Sequence, residues 1–177
     1  LRANRQPEFT QVDVEMSFLD MDDVMDVHEE LFQKLFKEII NYDLELPLQR
    51  MKYSEAMERF GVDKPDLRFD MELKNVNEVF AKSEFQIFQS AISSGNVIRA
   101  INVPKGDELI SKKKFKKLEE FVKDFGAKGL IYFRYDDEKS SSIDKFVNDD
   151  EKNALFEFMG SNKGDMVLLV ADKYEVT

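Results

Sequence analysis

The chain has 177 residues, 42% of them apolar and 35% charged, with 16 phenylalanines, no tryptophan, no cysteine and a net charge of −10. That length supports a buried core in one domain or two small ones, and the acidic balance argues against broad salt-driven nucleic-acid binding while leaving room for a local basic surface. Without cysteine there is no disulfide framework, thiolate metal site or cysteine nucleophile, which fits a reducing cytoplasm, and no apolar run approaches the roughly 20 residues of a membrane span.

The first element expected is a strand. In 9-FTQVDVEMSF-18, Val12, Val14, Met16 and Phe18 alternate with Phe9, Gln11, Asp13 and Glu15. In an extended chain these sets fall on opposite faces. The polar face reads either as solvent-facing or as the floor of a small-molecule site. A long amphipathic helix follows in 20-DMDDVMDVHEELFQKLFKEIIN-41, where Val24, Val27, Leu31, Leu35 and Ile39 recur at helical spacing. Its acidic start suits the helix dipole, and it lacks the glycine and distant glutamate of a calcium loop. A shorter helix is expected over 54–60, with Ser54 as N-cap and Gly61 as the stop. The segment 61-GVDKPDLRFDMEL-73 is turn-rich and gathers Asp63, Lys64, Asp66 and Arg68.

Beyond this point the pattern changes. Residues 76–84 look helical, and 97-VIRAINV-103 reads as a strand ended by Pro104 and Gly106. A helix capped by Ser111 buries Phe115, Leu118, Val122 and Phe125 and stops at Gly126. The strand 130-LIYFRY-135, a polar loop over 136–144, a helix over 149–159 closed by Gly160 and the fully apolar strand 166-MVLLVA-171 complete the series. Strand, helix, strand, helix, strand implies a compact α/β module. The boundary between two units is placed near residue 75.

Few groups suggest chemistry. His28 is the lone histidine, within the long helix, and pairs with no cysteine or second histidine for zinc or a Ser-His-Asp set. The seven glycines form no phosphate loop. The pairs Asp136–Asp137 and Asp149–Asp150 occupy loop or cap positions, unlike a glycosidase carboxylate pair. The run 112-KKKFKK-117 is the one basic concentration, readable as a solvated helix face or a nucleic-acid patch.

The stretch 1-LRANRQPEFTQVDVEMSF-18 closely resembles motif 2 of bacterial-type aspartyl-tRNA synthetases, members of class II. The likeness continues through 47-PLQRMKYSEAMERFGVDKPDLRFDMEL-73, and 126-GAKGLIYFRY-135, 144-DKF-146 and 164-GDMVLLVAD-172 resemble the insertion (GAD) domain shared with subunits of tRNA-dependent amidotransferases. The resemblance implies an α+β / α/β architecture. Residues 1–75 would be part of an antiparallel-sheet catalytic core, and 76–177 a compact inserted GAD-type domain. It further implies that Arg5 contacts the ATP phosphates, Gln6 helps hold ATP and Phe9 stacks on adenine. Gln11 and Asp13 would bind aspartate, Asp13 through the substrate ammonium, and Arg2 would meet the tRNA acceptor end. Guanidinium forks suit phosphate oxygens, and carboxylates suit ammonium groups.

The implied activity is aspartate–tRNA ligation with ATP and magnesium as the substrate complex and no tightly bound cofactor. Partners would be tRNA-Asp, L-aspartate and ATP, in a cytoplasmic homodimer with no membrane contact. No side chain is cast as a covalent catalyst or metal ligand. Asn4 stands where the family commonly has Asp, a small loop change. The arginine-bearing opening of motif 2, motifs 1 and 3 and the anticodon-binding domain are not in this stretch. The chain therefore reads as a fragment, inactive alone. The competing readings are a non-catalytic binding module related to the amidotransferase insertion domain, or a paralogue without aminoacylation. Arg5, Phe9 and Asp13 at this spacing favour the ligase.

Overall fold

A computed structural model describes residues 6–177. Two compact units are present, one ending at Arg50 and the other comprising Met51–Thr177.

In the first unit, helix α1 (Met21–Ile40) begins at Asp20, whose carboxylate accepts from the backbone of Asp22 and Asp23. Asp23 returns the favour by accepting from the Asp20 N–H at 3.0 Å. This reciprocal cap satisfies donors that a helix start otherwise leaves unpaired. Asn41, in the left-handed region at φ 53°, ends the helix. The segment after it is tied back by polar contacts. The Gln33 amide donates to the Leu44 carbonyl at 3.0 Å, and Lys37 pairs with Asp43 at 2.7 Å. Glu29 is buried, accepting from the Leu48 N–H at 3.0 Å and from the Arg50 guanidinium. A buried carboxylate requires such donors. The apolar stripe is largely exposed, Ile39 at 73%.

The strand expected over residues 9–18 is not formed. Residues 6–20 contain no strand, and Phe9, Val12, Val14 and Phe18 are exposed. Alternation sets which side chains share a face, but a strand also needs a neighbour for its N–H and C=O groups. No described residue supplies that ladder.

The second unit opens with α2 (Tyr53–Phe60), whose N-cap position is Lys52, without a side-chain capping bond, rather than Ser54, which lies inside the first turn; Gly61 ends it in the left-handed region. Four strands follow: β1 (Leu73–Asn75), β2 (Val97–Val103), β3 (Ile131–Arg134) and β4 (Met166–Asp172). Their order is β1-β2-β4-β3, antiparallel throughout. Since β2 and β3 both oppose β4, they run parallel to each other with β4 between them. That is why the sequence has the rhythm of an α/β crossover although every paired neighbour is antiparallel. The architecture is therefore an antiparallel sheet with helices on both faces. The compositional shift near residue 75 falls inside this unit, where α2 lies against β1.

Helix α3 (Gln86–Ser93) and α6 (Asp149–Met159) cover one face. There Phe80, Phe88, Ile98, Phe133, Leu155, Val167 and Leu169 are fully buried, with the Phe80 and Phe88 rings 4.4 Å apart. Helix α5 (Lys112–Asp124) covers the other, placing Phe115, Leu118 and Val122 on Met166 and Leu168. The short α4 (Gly106–Leu109) precedes it, and a Cβ at Gly106 would lie 2.5 Å from the Met166 Cβ, which explains glycine there.

The helix expected over 76–84 is absent; the helix lies later, at α3. Asn75 accepts from the Asn77 N–H at 3.0 Å, and Asn77 accepts from Ile98 N–H at 2.7 Å while donating to the Asn96 carbonyl. These side-chain bonds give the backbone an alternative to a helix, so residues 77–82 form turns.

Candidate functional site

Arg2 and Arg5 lie outside the described residues. Gln6, Phe9, Gln11 and Asp13 lie on the strandless segment before α1 and face solvent, Phe9 at 70% exposure. The described residues make no hydrogen bond or ion pair to Gln6, Gln11 or Asp13, so they bring no pocket together around them.

Elsewhere, charged groups are arranged more tightly. In the second unit Arg59 reaches Glu72 through two nitrogens at 2.9 and 2.6 Å and Glu55 at 2.6 Å. The Glu72 hydrogen bonds hold the Arg59 guanidinium firmly protonated, and the same contact depresses Glu72. Within the turn-rich segment, the Arg68 side chain and backbone N–H lower Asp66 to about 2. The Asp63–Lys64 pair lies beside it, exposed. This is an exposed polar loop.

Asp165 organises the turns at one end of the sheet. It accepts from Asn162 N–H at 2.9 Å, Asn102 at 3.0 Å and Lys105 N–H at 3.0 Å. Burial works to raise its pKa, but these donors outweigh it and the net shift is downward. Asp136 follows the same logic: burial opposes ionisation, and the Ser140 hydroxyl with nearby backbone N–H groups reverses it. Lys152 is buried between Asp144 at 2.8 Å and Asp149 at 3.6 Å. Arg99, also buried, donates to Glu58 and to the Met57 carbonyl.

His28 is half-buried and its Nδ1 donates to the Val24 carbonyl at 2.7 Å, a role within its own helix. The described residues contain no cluster of three His, Asp or Glu side chains fit for a metal ion. They also contain no helix long and apolar enough to cross a membrane.

Two grooves flank α5. One, of about 470 Å³, runs between α3 and α5 beside Asn96, Lys128 and Asp172. The other, of about 240 Å³, lies between α5 and β3 and is lined by Lys112, Phe115, Lys116, Glu119, Tyr132 and Arg134. Sequence reading singled out the lysines of this second groove. It missed Arg134, whose contribution depends on strand register: alternation along β3 puts it on the same face as Tyr132.

The family described as tRNA synthetases class II (D, K and N) matches this chain over residues 1–176. The chain belongs to that family. It is 48% identical over 177 residues to a protein of Caldanaerobacter subterraneus subsp. tengcongensis named aspartate–tRNA(Asp/Asn) ligase, with 99% of this chain and 30% of the relative covered. Proteins named aspartate–tRNA ligase from Clostridium kluyveri and Clostridium novyi are 47% and 48% identical over the same 99% and 30% shares. The chain thus spans about 30% of the length of these relatives.

Proposed function

We propose that this chain is a segment of an aspartate–tRNA ligase, a cytoplasmic enzyme acting on L-aspartate, ATP and tRNA-Asp as a homodimer. The observation that carries the reading is the 48% identity over essentially the whole chain to proteins named for that activity. The proposed reaction has two steps. A carboxylate oxygen of aspartate attacks the α-phosphorus of ATP, forming a phosphorus–oxygen bond as pyrophosphate leaves. A terminal ribose hydroxyl of tRNA then attacks the aspartyl carbonyl carbon, losing its proton as AMP leaves.

The residues of this segment would act by positioning and charge pairing. Arg5 would grip ATP phosphates, Gln6 would support the nucleotide and Phe9 would stack on adenine. Asp13 would pair with the substrate ammonium, with Gln11 beside it, and Arg2 would approach the acceptor end. Magnesium would arrive with ATP as substrate, screening the phosphate charge. Residues 1–75 would belong to the catalytic core and 76–177 to an inserted GAD-type domain.

The test is aspartate-dependent ATP–pyrophosphate exchange by the full-length ligase that carries this segment. Robust exchange that collapses in Asp13→Ala and Phe9→Ala is expected. A folded full-length protein with no aspartate-dependent exchange would overturn the reading.

A further inference from the structure

The first half of α5 carries an uncompensated concentration of positive charge on a strongly acidic chain. Residues 112–117 hold five lysines and no carboxylate. Among the described residues, no carboxylate lies within ion-pair distance of Lys112, Lys113, Lys116 or Lys117, whereas Lys114 donates to the Leu109 carbonyl at 2.9 Å. Glu119 pairs with Lys123 at 3.2 Å and Asp107 with the Arg134 Nε at 3.1 Å, which leaves Glu108 before the helix and Glu120 one turn after Lys116 as the nearest acids without an ion pair among the described residues. Glu120 and Asp124 sit in the second half of the helix.

This placement is unfavourable for the fold itself. Lysines crowd the positive end of the helix dipole, and Lys112–Lys116 and Lys113–Lys117 are like-charge neighbours one turn apart. Phe115 points inward against the Tyr132 ring at 4.8 Å, so the lysines are left on the outer and flanking faces. On the flank, the groove between α5 and β3 adds Arg134 to Lys112 and Lys116, with the Arg134 guanidinium 5.7 Å from the Tyr132 ring centroid. Two cationic rows, each with its lysines about one 5.4 Å turn apart, therefore run along the helix start and into a groove.

We propose that this face, Lys112, Lys113, Lys116 and Lys117 with Arg134 at its edge, is a docking surface for the phosphodiester backbone of an RNA. Charge complementarity selects a polyanion, since ammonium groups match phosphate oxygens as point charges. The choice of RNA rests on the ligase reading above. The contact is electrostatic and sequence-independent, a positioning surface rather than a base-reading one.

The probe is a fluorescein-labelled tRNA-Asp transcript, titrated into this chain by anisotropy from 25 to 200 mM salt. The variants are Lys112→Gln/Lys113→Gln/Lys116→Gln/Lys117→Gln and the charge-preserving fourfold Lys→Arg. Losing four phosphate contacts should flatten the log affinity–log salt slope by roughly 3 and weaken binding at low salt at least tenfold. The Arg variant should bind as wild type. An unchanged slope, or tRNA binding matched by a polyglutamate peptide of equal charge, would overturn the proposal.

The same substitutions in the full-length ligase give a readout independent of how this chain behaves alone. KM for tRNA should rise with salt sensitivity reduced, while pyrophosphate exchange, which needs no RNA, stays at the wild-type rate. Unchanged KM sinks the surface and leaves the ligase reading intact. Absent exchange in wild type with tRNA binding retained sinks the ligase and leaves the surface.

Discussion

The guanidinium of Arg99 lies 4.5 Å from the ring centroid of Tyr174, sandwiching a buried cation between β2 and the segment that follows β4. The same guanidinium donates to Glu58 and to the Met57 carbonyl, and Tyr174 reaches Glu58 through its hydroxyl at 3.2 Å. Arg99→Ala should therefore destabilise the second unit by about 2 kcal/mol, combining lost stacking with lost hydrogen bonds. Arg99→Lys should restore less than half, because an ammonium cannot stack and fork at once. Urea denaturation compares the three proteins; equal midpoints would show that the sandwich contributes nothing.

Phe80 is fully buried between Phe88 and Phe133. Phe80→Ala should cost about 3–5 kcal/mol through lost transfer energy and a residual cavity. Phe125, expected on the buried stripe of α5, is exposed instead, and Phe125→Ala should change stability by less than about 0.5 kcal/mol. The pair of denaturation curves separates core from surface phenylalanines in a chain where both are common.

Asp66 should titrate near 2 while Arg68 holds it, and Arg68→Gln should return it toward 3.8. A depressed folded pKa means that the contribution is present above the unfolded value and disappears as pH falls from about 3.8 through about 2. Carboxyl chemical shifts followed by NMR across that range measure both values directly.

Asp165→Asn should destabilise the turn-bearing end of the sheet by about 1–3 kcal/mol, since an amide offers one acceptor oxygen where the carboxylate uses two. Because the folded pKa of Asp165 is lowered, wild type should lose this advantage on acidification below the normal carboxylate range, while the variant should not. Thermal melts at neutral pH and at pH 3 test the convergence.

The proposed role of Asp13 predicts that Asp13→Ala in the full-length protein lowers kcat/KM for aspartate about 30-fold to 900-fold, about 2–4 kcal/mol. Phe9→Ala should act mainly on KM for ATP, by about 1–3 kcal/mol of lost stacking. Exchange kinetics with each substrate varied in turn distinguish the two effects. An Asp13 variant that impaired only ATP would reassign that carboxylate.

The elements with local signals were legible in the sequence. Ser111 caps α5, Gly160 closes α6, and the strands at 97–103 and 166–171 emerge within a residue of their observed limits. Helix α3 was missed because Phe85, its N-cap, offers no side-chain acceptor to announce a start. β1 is three residues long and owes its existence to β2, a partner that lies over twenty positions away. The segment carrying Phe9, Gln11 and Asp13 shows the converse. Its alternation is clear, but periodicity describes faces and cannot provide the neighbouring strand that makes a face. The proposed site residues rest on pattern and resemblance alone; the arrangement that would unite them depends on backbone partners beyond local spacing.

The insertion of β4 between β2 and β3 has a consequence for how the unit is made. During synthesis the ribosome releases β1, β2 and β3 before β4, yet β2 and β3 have no ladder to share until Met166–Asp172 arrive. The nascent chain must carry a two-stranded ribbon and a lone strand through the production of some thirty further residues, with Phe133 and Ile98 lacking their final cover. Sheet closure is then a late, long-range event, the kind that slows folding and exposes unpaired edges to other chains. In this unit the last strand made is the one that joins β3 to the ribbon of β1 and β2.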